Sequence, residues 1–239
     1  MTNETDVVLI LGSGPNAVKA QDMPRPALGQ VVAINNAWRV LKDWDFCIHP
    51  EDFPAERHPP TEHGAGKMVT YESYVPIQNT YGGFVYAGGT MAFTAAYWAL
   101  GALRPKVMAF LGCDMVYAAS GNTHFYGTGE ADPLRADVTL QSLEGKSARL
   151  GVMAARQGCH CVNLSQDESR LVFPRHAPDA LAALMSKNAP ATTQADVREA
   201  DLGYMVTSGR YWNIQDRFDA AALREIDALW LEAYHGLMA

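Results

Sequence analysis

The feature that most constrains the fold is residues 7–16, which read VVLILGSGPN: five apolar residues leading directly into a glycine-containing turn. An unbroken apolar run of this length is typical of a strand buried on both faces in the centre of a parallel sheet. Gly12 and Gly14 allow a tight turn and a close approach of a ligand to the backbone. Pro15 is compatible with the first turn of a helix from Asn16 to Gln21, whose free N–H groups would face a phosphate. The pattern predicts a nucleotide-phosphate site, and its alternative is an ordinary strand-to-helix turn.

The composition limits the classes of partner. The chain has 239 residues, of which 48% are hydrophobic, and a formal net charge of -7. This length suits one large α/β domain or a domain with an appendage, and the acidic balance argues against nucleic acid as a partner. No apolar run approaches the roughly 20 residues of a membrane span, and the N-terminus MTNETD does not have the pattern of a signal peptide. We therefore expect a cytoplasmic protein whose four cysteines are buried free thiols.

Three further segments are predicted strands that end in polar residues. Residues 30–36 end in the two amides Asn35 and Asn36, residues 45–49 end at His49, and residues 106–114 end at Asp114. The predicted fold is α/β, with a Rossmann-like, mostly parallel sheet, helices on both faces and a C-terminal helical extension. Ligands bind such sheets at the carboxyl ends of the strands. A nicotinamide-binding site would place an acid where Asn35 stands, so the G-x-G-x-x-A pattern at residues 12–17 does not indicate a dehydrogenase.

Two glycine-rich or polar loops are predicted to approach the same edge. Gly88 and Gly89 precede Thr90, a predicted N-cap for a helix over residues 91–100. This turn is a second candidate anion site, unless its glycines only permit close packing of helix and sheet. A polar loop at about residues 115–135 has the length of a lid over a binding site. It contains His124, flanked in sequence by Tyr117 and Tyr126.

The C-terminal part contains a predicted linker and a final helix. An Ala/Pro/Thr-rich stretch at residues 188–196 is the predicted linker, and an amphipathic helix is predicted from Asp219 to Leu237. We therefore divide the chain into a nucleotide-binding domain at residues 1–187, with the inserted lid, and a segment at residues 188–239. The last helix either closes the core or pairs with another subunit in a homo-oligomer.

Several motifs together resemble one family of proteins. The opening I-L-G-S-G-P-N, the strand end A-I-N-N, and G-G-T-M-A-x-x-A-A-x-x-A-L-G followed by F-L-G-C-D-M are similar to bacterial sialyltransferases of the Campylobacter type. These enzymes are relatives of a motility-accessory and pterin-pyrophosphokinase-like group with a G-x-G-P-S turn. The resemblance covers roughly residues 7–165.

The resemblance implies a role for individual residues. The donor nucleotide would be contacted at positions matching Ser13, Asn35, His49, Gly88, Gly89, Thr90 and Asp114. Tyr117 and Tyr126 lie near the positions of two tyrosines that steady the leaving phosphate, although the spacing differs. The chain departs from the family at the histidine that acts as general base, because Gln141 aligns with it and an amide cannot accept a proton at neutral pH.

The resemblance implies a metal-independent, inverting glycosyltransferase that takes a CMP-type, nucleotide-activated acidic sugar as its donor. Its acceptor would be a glycan or another hydroxyl compound. Peripheral contact of the protein with a membrane is compatible with such a substrate. No cofactor is expected. His124 is the leading substitute base, because imidazole titrates near neutrality, and His49 is its rival.

Two alternatives remain open. One is a nucleotide kinase or pyrophosphokinase, in which Asp114, Glu51 and Asp52 would hold Mg²⁺ although the chain has no P-loop motif. The other is a non-catalytic nucleotide- or sugar-binding protein.

Overall fold

A computed structural model describes residues 6–60, 66–117, 121–128 and 136–239 of the chain. Its centre is a six-stranded sheet in which every pair of neighbours is parallel. The strands are β1 (Val7–Leu11), β2 (Gln30–Ile34), β3 (Phe46–Ile48), β4 (Lys67–Val69), β5 (Val107–Leu111) and β6 (His160–Asn163), in the order β4-β3-β2-β1-β5-β6. The predicted α/β, Rossmann-like fold is thereby confirmed.

The α-helices among these residues cover one face of the sheet. They are α1 (Tyr71–Thr80), α2 (Phe84–Ala87), α3 (Met91–Ala102), α4 (Leu143–Arg156), α5 (Gln194–Leu202) and α6 (Ala220–Met238). All contribute buried residues to one hydrophobic cluster, which also contains Val8 and Ile10 of β1. The alternate residues Val7, Leu9 and Leu11 belong to a second cluster on the other face. Burial of β1 on both faces agrees with its uninterrupted apolar sequence.

Short 3-10 helices cover this second face. They span Pro15–Asp22, Arg25–Leu28, Asn35–Arg39 and Pro178–Ala183. The segment after the glycine turn, predicted as an ordinary helix, is thus of the tighter 3-10 type. Prolines at positions 15, 24 and 26 lack the N–H group that an α-helical ladder needs, which favours short, interrupted turns here.

The order of the strands reverses between β1 and β5. After β1 the chain adds β2, β3 and β4 on one side, and it then crosses to add β5 and β6 on the other. In open parallel sheets, ligands bind in the crevice beyond the carboxyl ends of the two strands at such a switch point. In this chain the crevice lies between the turns at Gly12 and Gly112.

Helix α4 begins later than the sequence predicts. The spacing of Leu140, Leu143, Leu150 and Met153 predicts a helix from Asp137 to Gln157. In the structure α4 starts at Leu143 after the N-cap Ser142, whose hydroxyl accepts from Gly145 N. Asp137 instead closes a turn, because its Oδ1 accepts hydrogen bonds from both the backbone and the hydroxyl of Thr139. An aspartate favours such local hydrogen bonding over a helix interior.

The C-terminal helices belong to the main hydrophobic core. Leu223, Ile226 and Trp230 of α6 are fully buried, and α6 lies along α4. The final helix therefore closes the core, one of the two roles that its apolar stripe allowed. The division of the chain at residue 187 and the homo-oligomer stay predictions. Among the described residues, no helix combines the length and apolar character needed to cross a membrane.

Candidate functional site

A cleft of about 1460 Å³ lies at the carboxyl ends of β1, β2 and β5. Most of the predicted site residues line it: Gly12, Ser13, Gly14, Asn35, Thr90, Asp114, Tyr117, His124 and Tyr126. These residues come from turns far apart in the sequence, and the switch point of the sheet brings them together. Three predicted site residues, His49, Gly88 and Gly89, lie outside this lining.

The glycine turn after β1 packs against the turn after β5. Gly12 N donates to Leu111 O, and Gly14 N donates to Gly112 O, each at 2.8 Å. A Cβ atom added at Gly12 would lie 2.3 Å from Gly112 O, and one at Gly14 would lie 2.9 Å from it. The two glycines are therefore needed for the approach of two backbone segments, whereas we had expected them to open the backbone to a ligand. Their N–H groups already donate to backbone oxygens at the end of β5 and in the turn that follows it.

Asp114, which follows β5, is hydrogen-bonded in the cleft to side chains at the ends of β1 and β6. Its Oδ2 accepts from Asn16 Nδ2 at 2.7 Å, and its Oδ1 accepts from Asn163 Nδ2 at 3.1 Å. Asn16 also donates to Ser165 Oγ and Asp167 Oδ2, both at 2.8 Å. Both carboxylate oxygens of Asp114 are thus held by amides, so the geometry gives this residue an organising role. Asn16, which sequence reasoning passed over, is the centre of this network.

Backbone strain is present on two sides of the cleft. Asn35, after β2, has φ 52°, and Met115, after β5, has φ 55°. Asparagine tolerates this left-handed region, whereas a buried methionine rarely adopts it. Such strain costs about 1–3 kcal/mol and is found preferentially at functional sites.

Three side-chain oxygens on the β1–β2 wall lack a hydrogen-bond donor. They are the Oδ1 atoms of Asn16, Asn35 and Asn36, which are buried and have no partner among the described residues. A buried acceptor without a donor costs about 1–3 kcal/mol. All three residues are in the lining of the cleft.

A short turn at residues 124–127, within the segment predicted as a lid, holds His124 near the glycine turn. His124 N donates to Gly127 O, and the next residue, Phe125, donates its N–H to Ser13 O at 3.1 Å. The imidazole stacks on Tyr126 with ring centroids 5.0 Å apart, and Tyr117 lies 6.0 Å away. Burial lowers the pKa of His124 below its ordinary value of 6.5. The ring is therefore a neutral base at physiological pH. The predicted lid also includes residues 118–120 and 129–135, which lie outside the described residues.

Thr90 places the start of α3 at the cleft. As predicted, it is the N-cap, with its hydroxyl accepting from Phe93 N at 3.3 Å. Thr90, Met91 and Ala92 line the cleft, so the positive end of the helix dipole faces it.

Gly88 and Gly89 contact other parts of the protein. A Cβ atom at Gly89 would lie 2.0 Å from the hydroxyl of Tyr211, and one at Gly88 would lie 3.1 Å from Lys146. This agrees with the packing role that we considered for these glycines.

The rival base, His49, is buried beside the cleft. Its ring packs against His58, with centroids 4.4 Å apart, and against Phe53, at 5.4 Å, and Nδ1 contacts Pro50 O. Gln141 lies outside the cleft lining, where its Oε1 accepts from Arg224 at 2.8 Å. His124 is thus the histidine that the described structure places in the cleft.

Sequence reasoning also missed Arg39 and Arg57, which line the cleft on the β2–β3 side. Arg39 lies in the 3-10 helix after β2, and Arg57 ends another one at Ala55–Arg57. The only signal in the sequence was that both arginines follow strands whose carboxyl ends face the predicted site.

No group of three or more His, Cys, Asp or Glu side chains within the described ranges has the arrangement of a metal site. The four cysteines are free and buried, as expected. Comparison of the chain with protein-family models, curated proteins and solved structures gives no match.

Proposed function

We propose that this protein is a sialyltransferase-like glycosyltransferase that uses a CMP-type acidic sugar nucleotide, without a metal ion and with inversion at the transferred carbon. The proposal combines the sequence resemblance with the chemistry of the cleft. The observation that carries it is His124: a buried histidine with a lowered pKa, lying in the cleft between two tyrosines.

The dimensions of the cleft are compatible with two substrates. Typical small-molecule sites have volumes of about 300–1,000 Å³, and this cleft, at about 1460 Å³, is larger. The side chains of Asn16, Asn35 and Asn36 line the cleft and offer amide groups to a nucleoside, and the remaining volume would take an acceptor. Both would lie within reach of His124.

The transfer needs a base and a stabilised leaving group. With Nδ1–H donating to Thr123 Oγ1, which lies 2.9 Å away, Nε2 of His124 carries the lone pair that removes the acceptor's hydroxyl proton. The acceptor oxygen then attacks the sugar carbon while the bond to the phosphate breaks. The hydroxyls of Tyr117 and Tyr126 and the N-terminus of α3 supply donors for the negative charge that develops on the phosphate.

The direct test measures release of CMP from a CMP-activated acidic sugar, with and without a glycan acceptor, in the presence of a chelator. We expect release that the acceptor accelerates and the chelator does not reduce. Firm binding of CMP without release would identify a binding protein, and failure to bind CMP would refute the proposal.

Removal of the Asn35 side chain is expected to weaken CMP affinity by about tenfold, because the hydrogen bond of a buried partner is lost. Since φ at this position is 52°, glycine removes the side chain without adding backbone strain, and Asn35→Gly is cleaner than Asn35→Ala. Isothermal calorimetry measures the dissociation constants, with Asn213→Gly on the exposed surface as the control. An unchanged constant in Asn35→Gly would remove Asn35 from the site.

The pH dependence of turnover follows from the lowered pKa of His124. The base is active when neutral, so the acid limb of the kcat/KM profile is expected to have its midpoint below pH 6.5 and to disappear in His124→Asn. The unfolded chain binds a proton here at higher pH than the folded chain does, so this group also costs stability as the pH falls below about 6.5. An acid limb that persists unchanged in the variant would assign it to another group.

A nucleotide pyrophosphokinase is the second candidate, and four acidic side chains in the lining of the cleft favour it, those of Asp52, Asp114, Asp167 and Glu168. Together with substrate phosphates, such carboxylates can hold Mg²⁺. Nucleotide binding that requires Mg²⁺, and AMP release from ATP, would favour this candidate.

A further inference from the structure

The phosphate of any nucleotide in the cleft needs a source of positive charge other than the glycine turn. The sequence suggested that the turn after β1 would supply N–H groups, but those of Gly12 and Gly14 donate to Leu111 O and Gly112 O. A phosphate group requires charge-assisted hydrogen bonds to compensate for its lost hydration. Positively charged side chains that line the cleft can supply such hydrogen bonds.

We propose that Arg39 and Arg57 form a subsite that binds a phosphoryl group. Among the described residues lining the cleft, these two are the only lysines or arginines. Neither forms an ion pair with a carboxylate in the described part of the chain, whereas Arg25, Arg156 and Arg170 all do. In a chain with a net charge of -7, two arginines without an acidic partner on one wall of a cleft form a local site for an anion.

The side chain of Trp38 contacts both arginines. Its Nε1 donates to the backbone oxygen of Arg57 at 2.9 Å, and the guanidinium of Arg39 lies 5.2 Å from the centroid of its ring. A guanidinium in contact with an indole face is oriented by a cation–π interaction. One side chain thus fixes the segments that carry both charges.

The segment that carries Arg57 rests on a stack of aromatic rings. Phe53 stacks on His58 with centroids 5.6 Å apart and an interplanar angle of 6°, and the buried His49 contacts both rings. His58 also contacts Phe53 O at 3.2 Å through Nε2. This packing holds the 3-10 helix Ala55–Arg57 beside the cleft. It gives His49 a supporting role under the subsite in place of direct contact with a ligand.

Two guanidinium groups suit a phosphoryl group, because each can donate two parallel hydrogen bonds to its oxygens. A carboxylate carries one negative charge, which a single arginine can balance, whereas pyrophosphate carries several. The assignment of this phosphoryl group to a nucleotide donor rests on the proposed function. The subsite itself is independent of that assignment and can be tested without a nucleotide.

The test measures binding of inorganic pyrophosphate, which contains neither base nor sugar, to the full chain by isothermal calorimetry. Arg39→Gln and Arg57→Gln are each expected to weaken binding by about tenfold and the double variant by about a hundredfold. Arg217→Gln changes the net charge equally at an exposed position outside the cleft lining and is the matched control. Its affinity for pyrophosphate is expected to equal that of the wild type.

Three outcomes would overturn the subsite: no binding of pyrophosphate to the wild type, equal binding by all variants, or an arginine-dependent preference for glucuronate, which offers a carboxylate and no phosphorus. A parallel comparison of CMP with cytidine measures the contribution of the phosphate to affinity, which should be smaller in the double variant than in the wild type. Arginine-dependent binding of pyrophosphate without release of CMP from a sugar nucleotide would support the subsite and refute the transferase.

Discussion

Replacement of His124 by alanine is expected to lower the turnover of sugar transfer by about 100-fold or more, with little change in the affinity for CMP. A general base typically contributes 10²–10⁴-fold. His124 lines the cleft, and the turn that carries it is hydrogen-bonded to the glycine turn through Phe125 N and Ser13 O. Its pKa, lowered by burial, keeps the ring neutral at the pH of the assay.

The control for this variant is His235→Ala, at an exposed position on α6, which should leave turnover and CMP affinity unchanged. His49→Ala is a second comparison: loss of its contacts with Phe53 and His58 should weaken the binding of phosphate and lower stability. Equal turnover in the wild type and in His124→Ala would eliminate His124 as the base. A large loss of CMP affinity in His124→Ala would assign the residue to binding.

Much of the fold can be predicted from the sequence because its signals are local. The apolar residues of β1 and β5 specify buried parallel strands, and Thr90 specifies the start of α3. The carboxyl ends of parallel strands share one edge, so Asn35 and Asp114 could be placed near each other before the structure was known. These parts of the site follow from topology and strand polarity alone.

Other parts depend on contacts between distant residues. The sequence around Gly14 does not indicate whether the missing side chain makes room for a ligand or for the backbone of Gly112. The network of Asn16 likewise joins residues separated by 98 and 149 positions. Only the packed structure shows that the glycine turn packs against the turn after β5, and that Arg39 and Arg57 line the cleft.

Replacement of Glu199 by alanine is expected to lower the free energy of unfolding by about 3–5 kcal/mol. Both oxygens of Glu199 accept from Arg149, at 2.7 and 2.8 Å, and Oε1 also accepts from Trp230 Nε1 at 2.7 Å. The side chain of Arg149 is 1% exposed. The variant would leave the charge of Arg149 buried without a counterion. It would also remove the hydrogen bonds through which Glu199 of α5 links α4 and α6. Urea denaturation monitored by circular dichroism gives the change.

Two further variants isolate the cause of this destabilisation. Glu225→Ala removes a carboxylate from an exposed pair with Arg198, at 3.1 Å, so its cost should lie within about 1 kcal/mol. The double variant Arg149→Met/Glu199→Leu removes both buried charges and keeps apolar volume, so it should recover much of the stability that Glu199→Ala loses. If the double variant is as unstable as the single one, loss of packing and of the Trp230 hydrogen bond dominates. If Glu199→Ala itself costs less than about 1 kcal/mol, water reaches Arg149 and the three helices are held by their apolar contacts alone.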